Sequence, residues 1–509
     1  MKMKNVLGVL LSVVMITGLL TGCGDSQTVE STSQEQKSSS QVETQSSASS
    51  EEVQDEVKEP AHIVVAMYNP AVLPLNDQME EYINNLDCMK EANLTVDIIS
   101  FTYNDYYQKI ELGLAAGDQY DLVYAPQTYY TLYSSNGVLA DISELLTTKY
   151  TTLYDMIPDV FWNGLTIDGK IYGVPTLKEY AAQWGIIVSN KLLEDTGIKA
   201  EDITDWKSAY DLLVAAGANG RNGLHLNSTS DYSQLFMYDK YESISGAAAV
   251  EIGNESAGVV NKFESDYYKE MVYYQRELYE AGAIHPEVME NVTFDQETEK
   301  LYGARPISYT PFAEAGILNG EATYIPMTSI RTDTSVTRGS IWGVTNRCEN
   351  KDAAVAFLEL WNTVPEIKNT FAYGLEGISY NLVDGKVKRT DDYRNWWRAQ
   401  NWQTGNMFIS YLETSEPDGK YEAYEEWCAQ TTASAILGFS FDATNVSAQV
   451  AACNAVIKEY SPALFIGVIE KDQIESYLAT FNEQLYASGL QDIIDEMNAQ
   501  LDVWFANQK

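Results

Sequence analysis

"AAGDQYDLVYAPQ", Ala115 to Gln127, is the stretch that decides the fold. Gly117 ends a helix that carries Tyr107, Ile110 and Leu114 on one face. Glycine accepts the left-handed backbone that follows a last helical turn. Leu122 to Ala125 is apolar at every position, as in a strand buried on both faces. A helix, a tight stop and a fully buried strand form the repeating unit of an open parallel α/β sheet.

The same grammar extends in both directions. Upstream, His62-Ile-Val-Val-Ala-Met67 reads as a buried strand, and a helix is expected over about 75–92. Leu94 to Phe101 alternates apolar and polar residues as a second strand, and Asn104 is placed to cap the helix that Gly117 stops. Downstream, Gly185-Ile-Ile-Val-Ser189 is a strand with a helix opening at Asn190. A second α/β stretch runs over about 205–311. Ser340 to Thr345 returns as a strand and Lys351 to Asn362 as an amphipathic helix. After Thr363 the chain reads as mainly helical. Ile474, Leu478, Phe481 and Leu485 keep helical spacing, as do Leu490, Ile493, Ile494, Met497 and Leu501, and both stripes are core. No internal repeat is found. A body of this length suits two lobes rather than one core.

The N-terminus stands apart. Lys2 and Lys4 precede an uncharged apolar run from Val6 to Leu20, right for a signal-peptide core and short for a membrane span. It ends in Leu20-Thr-Gly-Cys23, which resembles a bacterial lipobox, and that resemblance implies cleavage after Gly22 and acylation of Cys23. Residues 24–60 are Ser, Gln, Glu and Thr with almost nothing large and apolar, so they are expected to be a disordered tether. Such a chain reaches roughly 30–35 Å.

Charge and motif content narrow the function. The formal charge of −40 argues against nucleic acid and against a polyanionic substrate. The three histidines, His62, His225 and His285, form no metal motif, and Cys88, Cys348, Cys428 and Cys453 form no C-x-x-C pair, so no metal or cofactor is expected. A Cys428–Cys453 disulfide is open, but buried free thiols are favoured. Gly164-Leu-Thr-Ile-Asp-Gly-Lys170 approaches a phosphate loop but has Ile171 where Ser or Thr is required. Asp168-Gly169 is instead a hairpin signal. No G-x-S-x-G elbow appears.

Ligands of open α/β sheets bind beyond the carboxyl ends of the strands. Three such ends carry aromatics beside amides: Tyr68-Asn69, Tyr103-Asn104, and Gln127 with Tyr129 and Tyr130. Rings for C–H faces and amides or carboxylates for hydroxyls suit a saccharide, and they also suit a peptide.

With these pieces in order, the chain resembles the extracellular solute-binding lipoproteins of ABC importers, the maltose-type group. The carriers are Ala115-Ala-Gly-Asp118 with Asp121-Leu-Val, then Trp162 through Gly169-Lys-x-Tyr-Gly-Val-Pro175, then Ile186 to Leu193, and Val344-Thr-Asn346 leading into Lys351 to Leu358. The remainder resembles a Gram-positive subgroup with its own poorly characterised C-terminal domain, on Tyr373-Gly-Leu-Glu-Gly-x-x-Tyr380, Asn401-Trp402, Gly405-Asn406 and Leu437-Gly-Phe-Ser-Phe441.

The resemblance implies a periplasmic-binding-protein-like II fold, with two α/β lobes, a crossover hinge and a helical C-terminal region. One lobe is expected from 61–182 plus 316–365, the other from 183–315 plus 366–509. The ligand would lie between them and be passed unchanged to a permease with a separate ATPase. A monomer on the outer face of the cell membrane is expected, held by its lipid. Carried over singly, Glu179 takes the place of a sugar-contacting acid four residues after Pro175. Tyr68, Asn69 and Gln127 take the corresponding strand ends; Tyr103 and Tyr129, from the strand-end reading above, and Tyr180 beside Glu179 join them as candidate contacts. Tyr309 and Phe312 stand where the group has Asn-Gly-Pro-Trp, and Trp402 and Asn406 join from the subgroup domain. Two rival readings remain. A peptide-binding protein of the same fold would use Lys178 and Arg305 for a terminus, and a tethered glycoside hydrolase would need paired carboxylates about 5–10 Å apart.

Overall fold

Gly117 does stop its helix, Tyr106–Ala116, at φ 99°. The computed structural model describes residues 59–72, 74–217, 236–284, 303–313 and 320–508. Glu59–Lys509 forms one unit. The signal-peptide segment, Cys23 and the tether through Lys58 lie outside the described residues.

Fifteen strands are labelled here in chain order. The first four are β1 (Ala61–Asn69), β2 (Leu94–Thr102), β3 (Leu122–Tyr124) and β4 (Gly173–Pro175). Next come β5 (Trp184–Ser189), β6 (Tyr241–Ser245), β7 (Ala248–Glu251), β8 (Val259–Asn261), β9 (Ala304–Ser308) and β10 (Ala322–Pro326). The last are β11 (Arg331–Thr332), β12 (Ile341–Val344), β13 (Tyr380–Val383), β14 (Lys386–Arg389) and β15 (Thr432–Ala433).

The first lobe is built on a five-stranded sheet in the order β2-β1-β3-β12-β4. β1 pairs in parallel with β2 over nine residues and with β3, as the buried runs require, while β12 enters antiparallel between β3 and β4. Tyr106 locks the middle: its hydroxyl donates to the Ala66 carbonyl at 2.8 Å and accepts from the Tyr124 amide at 2.7 Å. The second lobe holds the sheet β10-β5-β9, the meander β6-β7-β8 and the long helices Asp266–Glu280, Ser447–Ile466, Ile474–Ala487 and Leu490–Asn507. Ile474, Leu478, Phe481, Leu485 and Met497 are buried there, as their spacing requires.

Several local expectations change. The helix expected over 75–92 is two pieces, Asn76–Asn84 and Asp87–Glu91. Asp105, not Asn104, stands at the next N-cap, and it makes no side-chain cap bond. The Asp168-Gly169 hairpin forms: both residues have positive φ, and Ile167 and Lys170 exchange two 3.0 Å bonds across the turn. The four described cysteines are free thiols, with Cys88 half-buried and the rest buried.

The lobes also divide elsewhere than expected. β10 pairs with β5, so the chain stays in the second lobe through Pro326 rather than leaving at 316. Ile367, Phe371, Trp397 and Ala399 pack into the first core, so 366 onward begins in the first lobe. The segment after Thr363 also includes the β13–β14 hairpin, not helices alone. Ile436 to Leu501 then completes the second core. An apolar stripe shows that a helix is buried, but it does not say in which core.

Three crossover segments run side by side. Ala182 and Arg331 exchange backbone bonds of 2.7 and 3.0 Å, and β11 pairs in parallel with β15. Ala181, Ile330, Trp427 and Cys428 pack together as an apolar cluster there, while the Arg331 guanidinium reaches to Tyr238 and Glu242.

Candidate interlobe ligand site

Gln127 follows β3 and precedes the helix Thr128–Ser135, at φ 48° and ψ −116°. A side chain other than glycine rarely adopts this backbone, and such strain collects at functional sites. It is held by the Gln127 amide, which donates to the Arg338 carbonyl at 2.7 Å, and by the Tyr130 amide, which donates back to the Gln127 carbonyl at 3.1 Å. The exposed Gln127 side chain lines a cavity of about 820 Å³.

Both lobes contribute walls. From the first come Thr128, Thr131, Leu132 and Ser135, all on the helix after Gln127. From the second come Tyr238, Tyr241 and Glu242, with Phe439, Ser440 and Asn454 of the C-terminal region. The crossover supplies Arg331, Asp333 and Arg338. This volume is within the usual range of small-molecule sites, about 300–1,000 Å³. Its charged residues balance, with Glu242, Asp333 and Asp442 against Lys262, Arg331 and Arg338.

Arg338 is the structural keystone of the cavity. It is buried, and its Nε donates to the Gly164 carbonyl at 2.7 Å. Nη1 donates to Thr131 Oγ1 at 3.0 Å and Ser440 Oγ at 2.6 Å, and Nη2 to the Gly438 carbonyl at 3.2 Å. Burial lowers its pKa to about 10, and among the described residues no carboxylate pairs with it. The fork thus fixes a first-lobe helix and the C-terminal region with one side chain.

At the crossover, Glu242 lies 3.5 Å from Arg331 Nη2 and accepts from Ser434 Oγ at 2.5 Å. Burial, and then the neighbouring Asp333, pushes its carboxyl up to about 7. Arg331 Nη1 donates to the Tyr238 carbonyl at 3.2 Å, and the Tyr238 hydroxyl donates to the Ala182 carbonyl at 3.2 Å.

Of the eleven expected contact residues, only Gln127 lines this cavity. The strand-end tyrosines pack on one another: Tyr68 stacks on Tyr103 at 4.3 Å and on Tyr124 at 5.1 Å, and Tyr129 lies parallel to Tyr107. Tyr103 also donates to Gln403 Oε1 at 3.4 Å. Asn69 is buried and bonds Ser100 Oγ at 2.9 Å. Glu179 pairs with Lys178 at 3.4 Å, and the Tyr180 amide donates to Cys428 Sγ. Tyr309 stacks on Tyr324 at 4.1 Å and meets Trp427 edge-on. Tyr180 and Tyr309 thus pack on the apolar crossover cluster and do not line the cavity. Phe312 at φ 66° and Trp402 expose 37% and 42% of their surface, enough to leave a ring free for contact. Asn406 is buried and structural: Oδ1 accepts the Phe408 amide, and Nδ2 bonds the Asn362 carbonyl.

Several lining residues went unread. Ser440 sits in the quoted Leu437–Phe441 motif, so it had a signal. Tyr238, Tyr241 and Glu242 had none, because nothing local marks which face of a short segment meets a cleft. The Lys178 half of the peptide-terminus pair is already matched by Glu179.

The comparisons agree with this architecture. Residues 86–396, more than half of the chain, match the family described as bacterial extracellular solute-binding protein. Residues 435–506 match a domain of unknown function, DUF3502. A carbohydrate ABC transporter substrate-binding protein of Streptococcus pneumoniae is 24% identical over 458 residues, covering 88% of this chain and 92% of its own. Among solved structures, the N-glycan transport solute binding protein NgtS of S. pneumoniae superposes with TM-score 0.75 at 23% identity, over 88% of this chain and 100% of that one. An extracellular solute-binding protein of Bifidobacterium longum subsp. infantis gives TM-score 0.63 at 16% identity, over 87% and 98%. By the family match and the two-lobe fold together, this chain belongs to the bacterial extracellular solute-binding proteins.

Proposed function

We propose that this protein is the lipid-anchored binding component of an ABC importer, and that it captures a neutral oligosaccharide between its lobes and releases it unchanged. The observation that carries the reading is the interlobe cavity of about 820 Å³, lined by as many acidic as basic residues in a chain of formal charge −40. Such a wall, with its hydroxyls, amides and tyrosines, suits a ligand that offers many hydroxyls and no charge. Gln127, Thr131, Tyr241 and Ser440 supply donors and acceptors from both sides, so the ligand favours whichever arrangement lets both lobes touch it. A micromolar site needs about 8 kcal/mol, within reach of a few such bonds and a ring stack. The exposed rings of Phe312 and Trp402 remain candidates for the outer units of a longer chain.

The relatives support this class. The pneumococcal NgtS has been solved with Man1GlcNAc and with Man5GlcNAc. Calorimetric titration with Man5GlcNAc, fructo-oligosaccharides and peptides tests the reading. Heat with a neutral glycan is expected, and its loss in Gln127→Ala ties that heat to the cavity. Binding of peptides alone would overturn the sugar assignment. For the anchor, Cys23→Ala is expected to release the protein from the cell surface into the medium.

A further inference from the structure

One short segment of the second lobe holds all three crossover segments. The Tyr238 hydroxyl donates to the Ala182 carbonyl on the first. On the second, Asp239 accepts from the Ser329 amide at 2.9 Å and from its hydroxyl at 2.6 Å, and the Tyr238 carbonyl accepts from Arg331. On the third, Glu242 accepts from Ser434. Tyr238 and Glu242 also line the cavity. The cleft wall and the grip on the hinge are therefore the same residues.

We propose that Tyr238–Glu242 is a proton-responsive latch, closed on the crossover while Glu242 is protonated and loosened when Glu242 ionises. The inference rests on the two-lobe cleft of the proposed function, but not on which ligand fills it.

The surroundings of Glu242 decide the direction. Arg331 from β11 faces it at 3.5 Å, and that guanidinium is shared with the Tyr238 carbonyl. Asp333 beyond β11 and Glu255 both act against its charge, and Asp239 belongs to the same segment. Lys262, from beyond β8, is bonded to the neighbouring Ser243. Ser434 donates to the carboxylate at 2.5 Å, closer than Arg331 at 3.5 Å. An ionised Glu242 is thus underpaired in a buried place. It gains most by hydration, which requires the wall between the cavity and the crossover to part. As a neutral acid it keeps the Ser434 bond without that cost. Burial raising its carboxyl to about 7 is consistent with this balance.

Hydrogen exchange of the full chain, followed by mass spectrometry without ligand, tests the latch. The amides of Ala182, Arg331 and Ser434 bond across the crossover and report its opening. Wild type and Glu242→Gln are compared at the same pH, so intrinsic exchange cancels. The two are expected to agree at about pH 4, and wild type to exchange faster by tenfold or more at about pH 8.5. Agreement at both values, or the same ratio at both, overturns the latch and leaves a structural residue. Ser434→Ala, which removes the donor that favours the charged form, is expected to shift the wild-type midpoint to higher pH. An unmoved midpoint overturns the proposal equally. Because no ligand is present, neither outcome bears on the sugar assignment.

Discussion

Arg338 and Glu242 show how unequal the charged residues of this protein are. Arg338 spends its fork on Gly164, Gly438, Thr131 and Ser440, none of them charged. A lysine there keeps the charge and loses the geometry. Arg338→Lys is expected to cost about 2–4 kcal/mol in urea unfolding, because buried acceptors are left without donors. It should also weaken ligand binding, since Thr131 and Ser440 line the cavity. For Glu242 the sign runs the other way from the common carboxylate. Its folded pKa is raised from 4.5 to about 7, so its contribution is full below 4.5 and is lost as pH climbs toward 7. Glu242→Gln should therefore gain stability over wild type across that window, by at most about 3 kcal/mol, measured as denaturation midpoints against pH. At this scale the sequence was legible where the backbone dictates the residue. Asp168-Gly169 announced its turn because few pairs accept two positive φ values. Tyr68 and Tyr129 were not legible, because a tyrosine at a strand end stacks on other tyrosines as readily as on a ligand.

Among the elements, the strands of the first sheet were the easiest to place. Ile63 to Met67 and Leu122 to Ala125 are apolar on both faces, and both lie inside the sheet, where each face is covered. The crossover was harder, since each of its segments is short and its partners are far apart in sequence. β11 and β15 have two residues each and meet only because the lobes hold them there. The helix Ser447–Ile466 carries Pro462 in its last turns. Proline removes one helical bond and crowds the preceding turn. Pro462→Ala is accordingly expected to raise the thermal midpoint, worth about 1 kcal/mol or more, as read by calorimetry.

For the whole molecule, a formal charge of −40 surrounds a cavity lined by as many acidic as basic residues. Salt should act on the two differently. The melting temperature is expected to rise with sodium chloride as self-repulsion is screened. Affinity for a neutral glycan should change by less than about twofold over the same range. A steep loss of affinity with salt would indicate a cationic ligand instead. Lobe membership was the least legible feature, because Ile367 and Ile474 look alike as helix stripes yet belong to different cores. The interleaving of the chain has a consequence for the order in which the protein can be made. β12 separates β3 from β4 in the first sheet, so until residue 344 emerges from the export channel both strands lack their shared neighbour. The second core lacks Ile436 to Leu501 until nearly the whole chain has crossed. The first core has all its buried residues once Ala399 has emerged, so it can finish well ahead of the second. Nascent chains halted near residue 430 should gain protease resistance in the first lobe alone, and resistance in the second should wait for Leu501.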